Sequence, residues 1–288
     1  DTGVMTNAPD YSARLLPALS TTGAAPFSDA TLGASATLRH GTWVASVAAM
    51  GVNNAIGGAG VGNFSILPIT ITNSNGNNSS SWIADAIRAA ADAGCKVINI
   101  SHSTLTYGGL DAAAAEAKAK GALVFMAAGN TGARINRTGF DNLIFVSGTD
   151  RDDALWSGSS WGPYVDLAAP AMDIFVADPT LTPSGYGYPA AGTSFASPLA
   201  AGVAGLLWSI NPNLTPDQVR DILYSTALDL GTPGFDEQFG NGRVNAAAAA
   251  AAALATVPEP ATWLLAAVGL AGVVGLTRRR RASILRRG

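Results

Sequence analysis

Val97-Ile98-Asn99-Ile100, a helical stretch over 110–120, and then Ala122-Leu123-Val124-Phe125-Met126-Ala127-Ala128: this run decides the fold. Apart from Asn99 both ends are apolar, which is the pattern of strands covered on two faces, as in a parallel sheet. Gly121 supplies the stop between helix and strand. Working outward, Trp82, Ile83, Ala86, Ile87 and Ala90 share one face of a helix over 81–93, which Gly94 ends. Further strands are expected over 63–71 and 143–147, and a long apolar helix over 194–210. Strands alternating with helices predict an α/β fold, a three-layer parallel sheet with helices on both faces. In such sheets active sites form where strands end and loops gather.

Composition narrows the function. Apolar residues make up 48% of the 288 and charged residues 13%, enough for a sizeable core. Of 17 Lys and Arg residues, Arg278, Arg279, Arg280, Arg281, Arg286 and Arg287 lie at the C-terminal end. The rest of the chain sets 11 basic side chains against 20 acidic ones, a balance that repels phosphate backbones and argues against nucleic acid as a partner. Cys95 is the single cysteine, so no intramolecular disulfide forms; its apolar neighbours make it a core residue.

Three short segments each pair a reactive residue with small neighbours: Asp1-Thr2-Gly3-Val4, His40-Gly41-Thr42-Trp43 and Gly192-Thr193-Ser194-Phe195-Ala196-Ser197-Pro198. A carboxylate stands before a glycine turn, a histidine opens a small-residue helix, and a serine follows a glycine at a helix start. Amides at that start point toward a developing oxyanion. A serine hydroxyl needs a base, and the base needs a carboxylate to fix its tautomer. Both histidines, His40 and His102, precede Ser194, which excludes the Ser–acid–His order of α/β hydrolases. The order Asp1, His40, Ser194 is that of subtilisin.

Over roughly residues 1–245 the chain resembles a subtilase. The three segments match that family's catalytic signatures, and Ala127-Ala128-Gly129-Asn130 matches its oxyanion-hole segment. The resemblance implies a secreted serine endopeptidase acting on proteins or peptides. Ser194 would be the nucleophile, His40 the base, Asp1 its orienting carboxylate, and the Asn130 side-chain amide with the Ser194 N–H the oxyanion hole. It also implies substrate contacts at Ser101, His102 and Ser103, where the family shows a leucine and two glycines in place of His102-Ser103-Thr104, and at Ala127, Ala128 and Gly129. His102 is expected to act in specificity rather than catalysis. The chemistry requires no cofactor. Val52-Asn53-Asn54-Ala55-Ile56-Gly57-Gly58 resembles the family's calcium loop, implying a structural calcium at Asp10, Val52, Asn54, Ile56 and Gly58; a metal-free Gly/Asn turn is the alternative. Zinc is not expected, because no His-Glu-x-x-His pattern exists.

In subtilases the catalytic aspartate ends a buried central strand. Such a strand is therefore expected ahead of Asp1, and residues 1–288 alone are expected to be inactive or unstable, with the α-ammonium of Asp1 competing with His40 for the carboxylate. At the other end, 246–256 is an alanine-rich spacer and 257–288 resembles a PEP-CTERM sorting signal: Val257-Pro258-Glu259-Pro260, an apolar run over 261–276, and arginines. At about 1.5 Å per residue that run reaches about 24 Å, close to a membrane core, with the arginines on the cytoplasmic side. This implies a single C-terminal transmembrane helix, processing by an exosortase-type enzyme, and delivery to the cell surface. A catalytically silent surface-displayed binding or matrix protein on the same scaffold is the alternative from another class.

Overall fold

The computed structural model describes residues 1–102, 109–181, 183–188 and 191–257. Four parallel strands, β3 (Val97–Ile100), β4 (Leu123–Ala127), β5 (Leu143–Thr149) and β6 (Val165–Pro170), pair in that order. Neighbouring residues on β4 point to opposite faces. Val124 and Met126 pack against α3 (Ser80–Asp92) and α4 (Leu110–Ala119), whereas Leu123 and Phe125 pack against α5 (Thr193–Ile210), α6 (Pro216–Ser225) and α7 (Ala246–Ala255). Three layers result, with an apolar core on each side of the sheet. Helix α5 is long and apolar enough to cross a membrane, yet two-thirds of it is buried in the molecule, where it serves as the central core helix. The expected transmembrane helix lies outside the described residues.

Elements start where the sequence offers caps. Ser79 Oγ accepts from Trp82 N at 3.2 Å to begin α3, and Asn245 Oδ1 accepts from Ala248 N at 3.1 Å to begin the polyalanine α7. Helix α6, which sequence reasoning missed, has a complete capping box between Thr215 and Gln218, with Pro216 at its first turn. Strand β6 was also missed, because Asp166 interrupts its apolar run. The strand expected over 63–71 shortens to β2 (Ile69–Thr70), paired in parallel with β1 (Leu19–Ser20). Pro68 lacks a donor and breaks the run ahead of it. His40 sits in the second turn of α2 (Ala36–Ala49) rather than at its opening. The remaining elements are α1 (Asp29–Gly33) and a hairpin of β7 (Val176–Ala177) and β8 (Tyr186–Gly187).

Asp166 shows how burial sets a local pH dependence. Its carboxylate accepts from Phe145 N at 2.8 Å and from the Tyr224 hydroxyl, with the Arg220 charge nearby. Burial nonetheless raises its pKa from 3.8 to about 7. The folded state therefore holds a proton that the unfolded state has released, so the stability from this group is full below pH 4 and lost as pH rises toward 7. Asp166→Asn keeps both hydrogen bonds if Tyr224 turns to accept. Melting curves should show the variant gaining on the native protein by roughly 2–4 kcal/mol between pH 4 and pH 8. Parallel pH profiles for the two proteins would contradict this.

Candidate active site

The residues expected to act together gather at the carboxyl end of the sheet, over the start of α5. Asp1 is placed by backbone pairing to β2: its amine donates to the Ile69 carbonyl at 3.1 Å, and its carbonyl accepts from Ile71 N at 2.9 Å. Its carboxylate takes Thr2 N at 2.7 Å and His40 Nδ1 at 3.0 and 3.1 Å. The α-ammonium was expected to compete for that carboxylate. It turns instead to Ile69, and burial lowers its pKa to about 5. Beside Asp1, between β2 and β3, lies a cavity of about 560 Å³ lined by Ile69, Ile71, Ile83, Val97, Ile98 and Ala201 among others. It lies between the two-stranded sheet of β1 and β2 and the four-stranded sheet.

His40 projects from α2 beside the rings of Trp43 and Phe195, each with its centroid 6.4 Å away. Burial first, and then the Asp1 ammonium, lower its pKa to about 4, so at neutral pH the imidazole is an unprotonated base. With Nδ1–H donated to Asp1, its lone pair is on Nε2.

Ser194 is the second residue of α5, and its N–H is among those with no acceptor inside the helix. Pro198 cannot donate to the Ser194 carbonyl one turn back. Ser101 Oγ does so instead, at 2.7 Å. In return Ser194 Oγ donates to the Ser101 carbonyl at 3.2 Å, and among the described residues no hydrogen bond joins it to His40. The end of β3 is thereby tied to the start of α5 through two reciprocal contacts. A further link runs from Ser197 Oγ to Asn99 Oδ1 at 2.7 Å and from Asn99 Nδ2 to Ser101 Oγ at 3.0 Å.

Asn130 has its amide oriented by the helix start. Its Oδ1 accepts from Thr193 N at 2.9 Å and from Thr193 Oγ1 at 2.8 Å, and Thr193 Oγ1 accepts from Gly129 N at 3.1 Å. The Nδ2 donor is left on the side of Gly192 and Ser194 N. Gly129 adopts φ +113°, which a side chain rarely takes, and a Cβ there would meet Ser160 Oγ at 2.9 Å.

The expected substrate contacts divide. The Ser101 side chain is buried and already engaged. Ala127 is in β4, the Ala128 carbonyl accepts from Tyr164, and the Gly129 carbonyl accepts from Ser160 N. His102 accepts at Nδ1 from Asn78 Nδ2 at 2.8 Å, a partner the sequence reading did not find. Ser103 lies outside the described residues. In the 52–58 loop, Asn53, Ala55 and Gly57 alternate at left-handed φ. Asn54 Nδ2 contacts Asp10 Oδ1, while Asp10 Oδ2 is buried with no hydrogen-bond partner. An unpartnered carboxylate oxygen of this kind is chemically suited to a hard cation, although among the described residues no group of three histidine, cysteine or acidic side chains gathers there.

Comparison with known proteins places the chain in a family. Residues 1–242 match the subtilase family, Peptidase S8, and residues 256–281 match the PEP-CTERM protein-sorting motif. Thermitase of Thermoactinomyces vulgaris is 36% identical over 250 residues, 85% of each chain. The halolysin-like extracellular serine protease Nep of Natrialba magadii is 41% identical over 72% of this chain, and a thermophilic serine proteinase of Bacillus sp. strain AK1 is 40% identical over 72%. This chain spans only 38% and 50% of the length of those two. Among solved structures, a protease of Pseudoalteromonas arctica PAMC 21717 superposes with a TM-score of 0.72 at 29% identity, covering 88% of both chains. Such matches define a class of protein with the subtilase fold. The chain belongs to the subtilase family, and it carries a C-terminal PEP-CTERM motif.

Proposed function

We propose that the protein is a secreted serine endopeptidase in which Asp1, His40 and Ser194 act in series. The observation that carries this reading is the bond from His40 Nδ1 to the Asp1 carboxylate at 3.0 and 3.1 Å, which leaves Nε2 free of that partner. Asp1 fixes the tautomer with the lone pair on Nε2. A rotation about the Ser194 Cα–Cβ bond moves the hydroxyl from the Ser101 carbonyl to that lone pair. Ser194 Oγ then attacks the scissile carbonyl as its proton passes to His40. Asn130 Nδ2 and Ser194 N–H hold the oxyanion, and His40 returns the proton to the leaving amine. Water attacks the acyl-enzyme by the same route. The backbone at Ala127, Ala128 and Gly129 is internally satisfied, which suits a pocket wall; His102 sits at the rim and tunes which side chains enter.

The experiment is hydrolysis of casein or a fluorogenic peptide, with inhibition by a fluorophosphonate. Inhibitor-sensitive turnover supports the reading. A protein that binds peptides but neither cleaves them nor reacts supports the silent-scaffold alternative. Asn130→Ala should lower turnover by about 10²–10³, a magnitude known from this same family, with KM little changed. An equal loss in KM would assign Asn130 to substrate binding instead.

Three further readings belong to the same proposal. The cavity beside Asp1 takes an extended apolar segment as an added strand, so fusing about five apolar residues ahead of Asp1 should raise both melting temperature and labelling rate, where a Gly-Ser extension does neither. Calcium would be held by Asp10, the Asn54 side chain and the carbonyls of Val52, Ile56 and Gly58. Added calcium should raise the melting temperature, and Asp10→Ala should erase that rise; an equal rise in both would exclude the loop. The division into a catalytic domain (1–245), a spacer (246–256) and a tail (257–288) implies transient anchoring in the inner membrane and release at the surface by an exosortase-type enzyme.

A further inference from the structure

Asp178 is fully buried, and nothing in the catalytic scheme uses it. It follows β7 on the segment that leads through β8 to Gly192 and Ser194. Both of its oxygens are saturated. Oδ2 accepts from Arg39 Nε at 3.1 Å and Trp43 Nε1 at 2.6 Å, and Oδ1 accepts from Thr180 N at 2.8 Å and Thr180 Oγ1 at 2.7 Å. The first two donors come from α2 and flank His40. Arg39 precedes it, and Trp43 lies three residues on, the spacing of neighbours on one helix face. The Trp43 ring meets the imidazole edge to face at 64°, and Arg39 also donates to the Gly33 carbonyl at 2.9 Å. Phe195, the residue after the nucleophile, also lies beside His40 and packs in one apolar cluster with Trp43.

We infer that Asp178 is a positioning residue for His40: one buried carboxylate sets the rotation of α2 about its own axis against the segment that carries Ser194. The inference rests on the proposed triad and goes beyond it. Rolling α2 would swing the imidazole away from Asp1 on one side and from Ser194 on the other. Two donors held by a single oxygen resist that roll, because turning the helix breaks both bonds at once and strands a charge in the interior.

Asp178→Asn and Trp43→Phe test this. The asparagine keeps the shape but offers a single acceptor oxygen to four donors; the phenylalanine keeps an aromatic ring against His40 and removes the N–H together with the rest of the indole's second ring. Two readouts are needed: the downfield proton resonance of His40 Nδ1–H, and the rate at which a fluorophosphonate labels Ser194. Asp178→Asn should shift or broaden the resonance and slow labelling 10- to 100-fold, with kcat reduced and KM within about twofold. Trp43→Phe should move both in the same direction, by roughly threefold in rate. A lowered melting temperature with resonance and labelling rate unchanged would make Asp178 a structural residue only and overturn the inference. Should Asp178→Asn fail to fold, an unchanged Trp43→Phe overturns it alone. If the native protein shows the resonance yet never labels, the hydrolase reading fails, while the resonance in the variants still decides the positioning claim.

Discussion

Ser194→Ala should lower peptide hydrolysis by about 10⁴–10⁶ and remove covalent labelling, while the protein stays folded. The size follows from chemistry with no substitute: without Oγ no acyl-enzyme forms, and only the oxyanion donors and binding remain, a pattern known from the same family. The folded state loses little. Oγ makes one contact of 3.2 Å to the Ser101 carbonyl, and the bond that pins α5 to β3 in the other direction uses the Ser194 carbonyl, which alanine retains. Melting temperature should therefore change by the equivalent of less than about 1 kcal/mol. A variant that unfolds would give Ser194 a structural role, and one that keeps its activity would remove Ser194 from the mechanism.

The second large effect comes from a residue with no functional group. Helix α2 crosses the chain just after Asp1 so closely that a Cβ on Gly41 would meet the Gly3 carbonyl oxygen at 2.2 Å and the Gly3 carbonyl carbon at 3.1 Å. The obstacle is backbone, with no side chain to move aside, and Gly3 itself has φ +118°. Gly41→Ala must push α2 and residues 1–3 apart, and with them the two ends of the His40–Asp1 bond. Overpacking of this kind costs about 1–3 kcal/mol, and a displacement of about 1 Å at the reacting groups costs about 100-fold in rate. Turnover should fall by at least that factor while KM moves less. Near-native kcat in Gly41→Ala would show that the contact relaxes without disturbing the histidine.

The parts of this molecule that were legible in the sequence share one property: their signal is local. Apolar runs at β4 and β5, buried throughout, a helical face over 81–93 and glycine stops at Gly94 and Gly121 read directly; β3 read as a strand as well, although Asn99 interrupts it and its burial alternates. The segments around Asp1, His40, Ser194 and Asn130 stood out as short motifs in a fixed order, and the structure joins Asp1 to His40 and Asn130 to the start of α5. Strand β6 was not, because Asp166 is tolerated there only through Phe145 N and Tyr224, partners more than twenty residues away. Helix α6 carried its signal in Thr215, Pro216 and Gln218, and a search for capping boxes would have found it. Asp178 had no local signal at all. Its partners on α2 stand 135 and 139 residues earlier, and only the packed fold shows that the carboxylate is buried between them. The turn of the Asp1 amine toward Ile69 was equally out of reach, since it depends on where β2 lies.

The most direct measurement is mass-spectrometric mapping of the residue labelled by a fluorophosphonate at neutral pH, in the native protein and in His40→Ala. The account predicts a single adduct on the peptide bearing Ser194, abolished or slowed by several orders of magnitude when the imidazole is gone. An adduct on another serine, or equal labelling of Ser194 without His40, would contradict it.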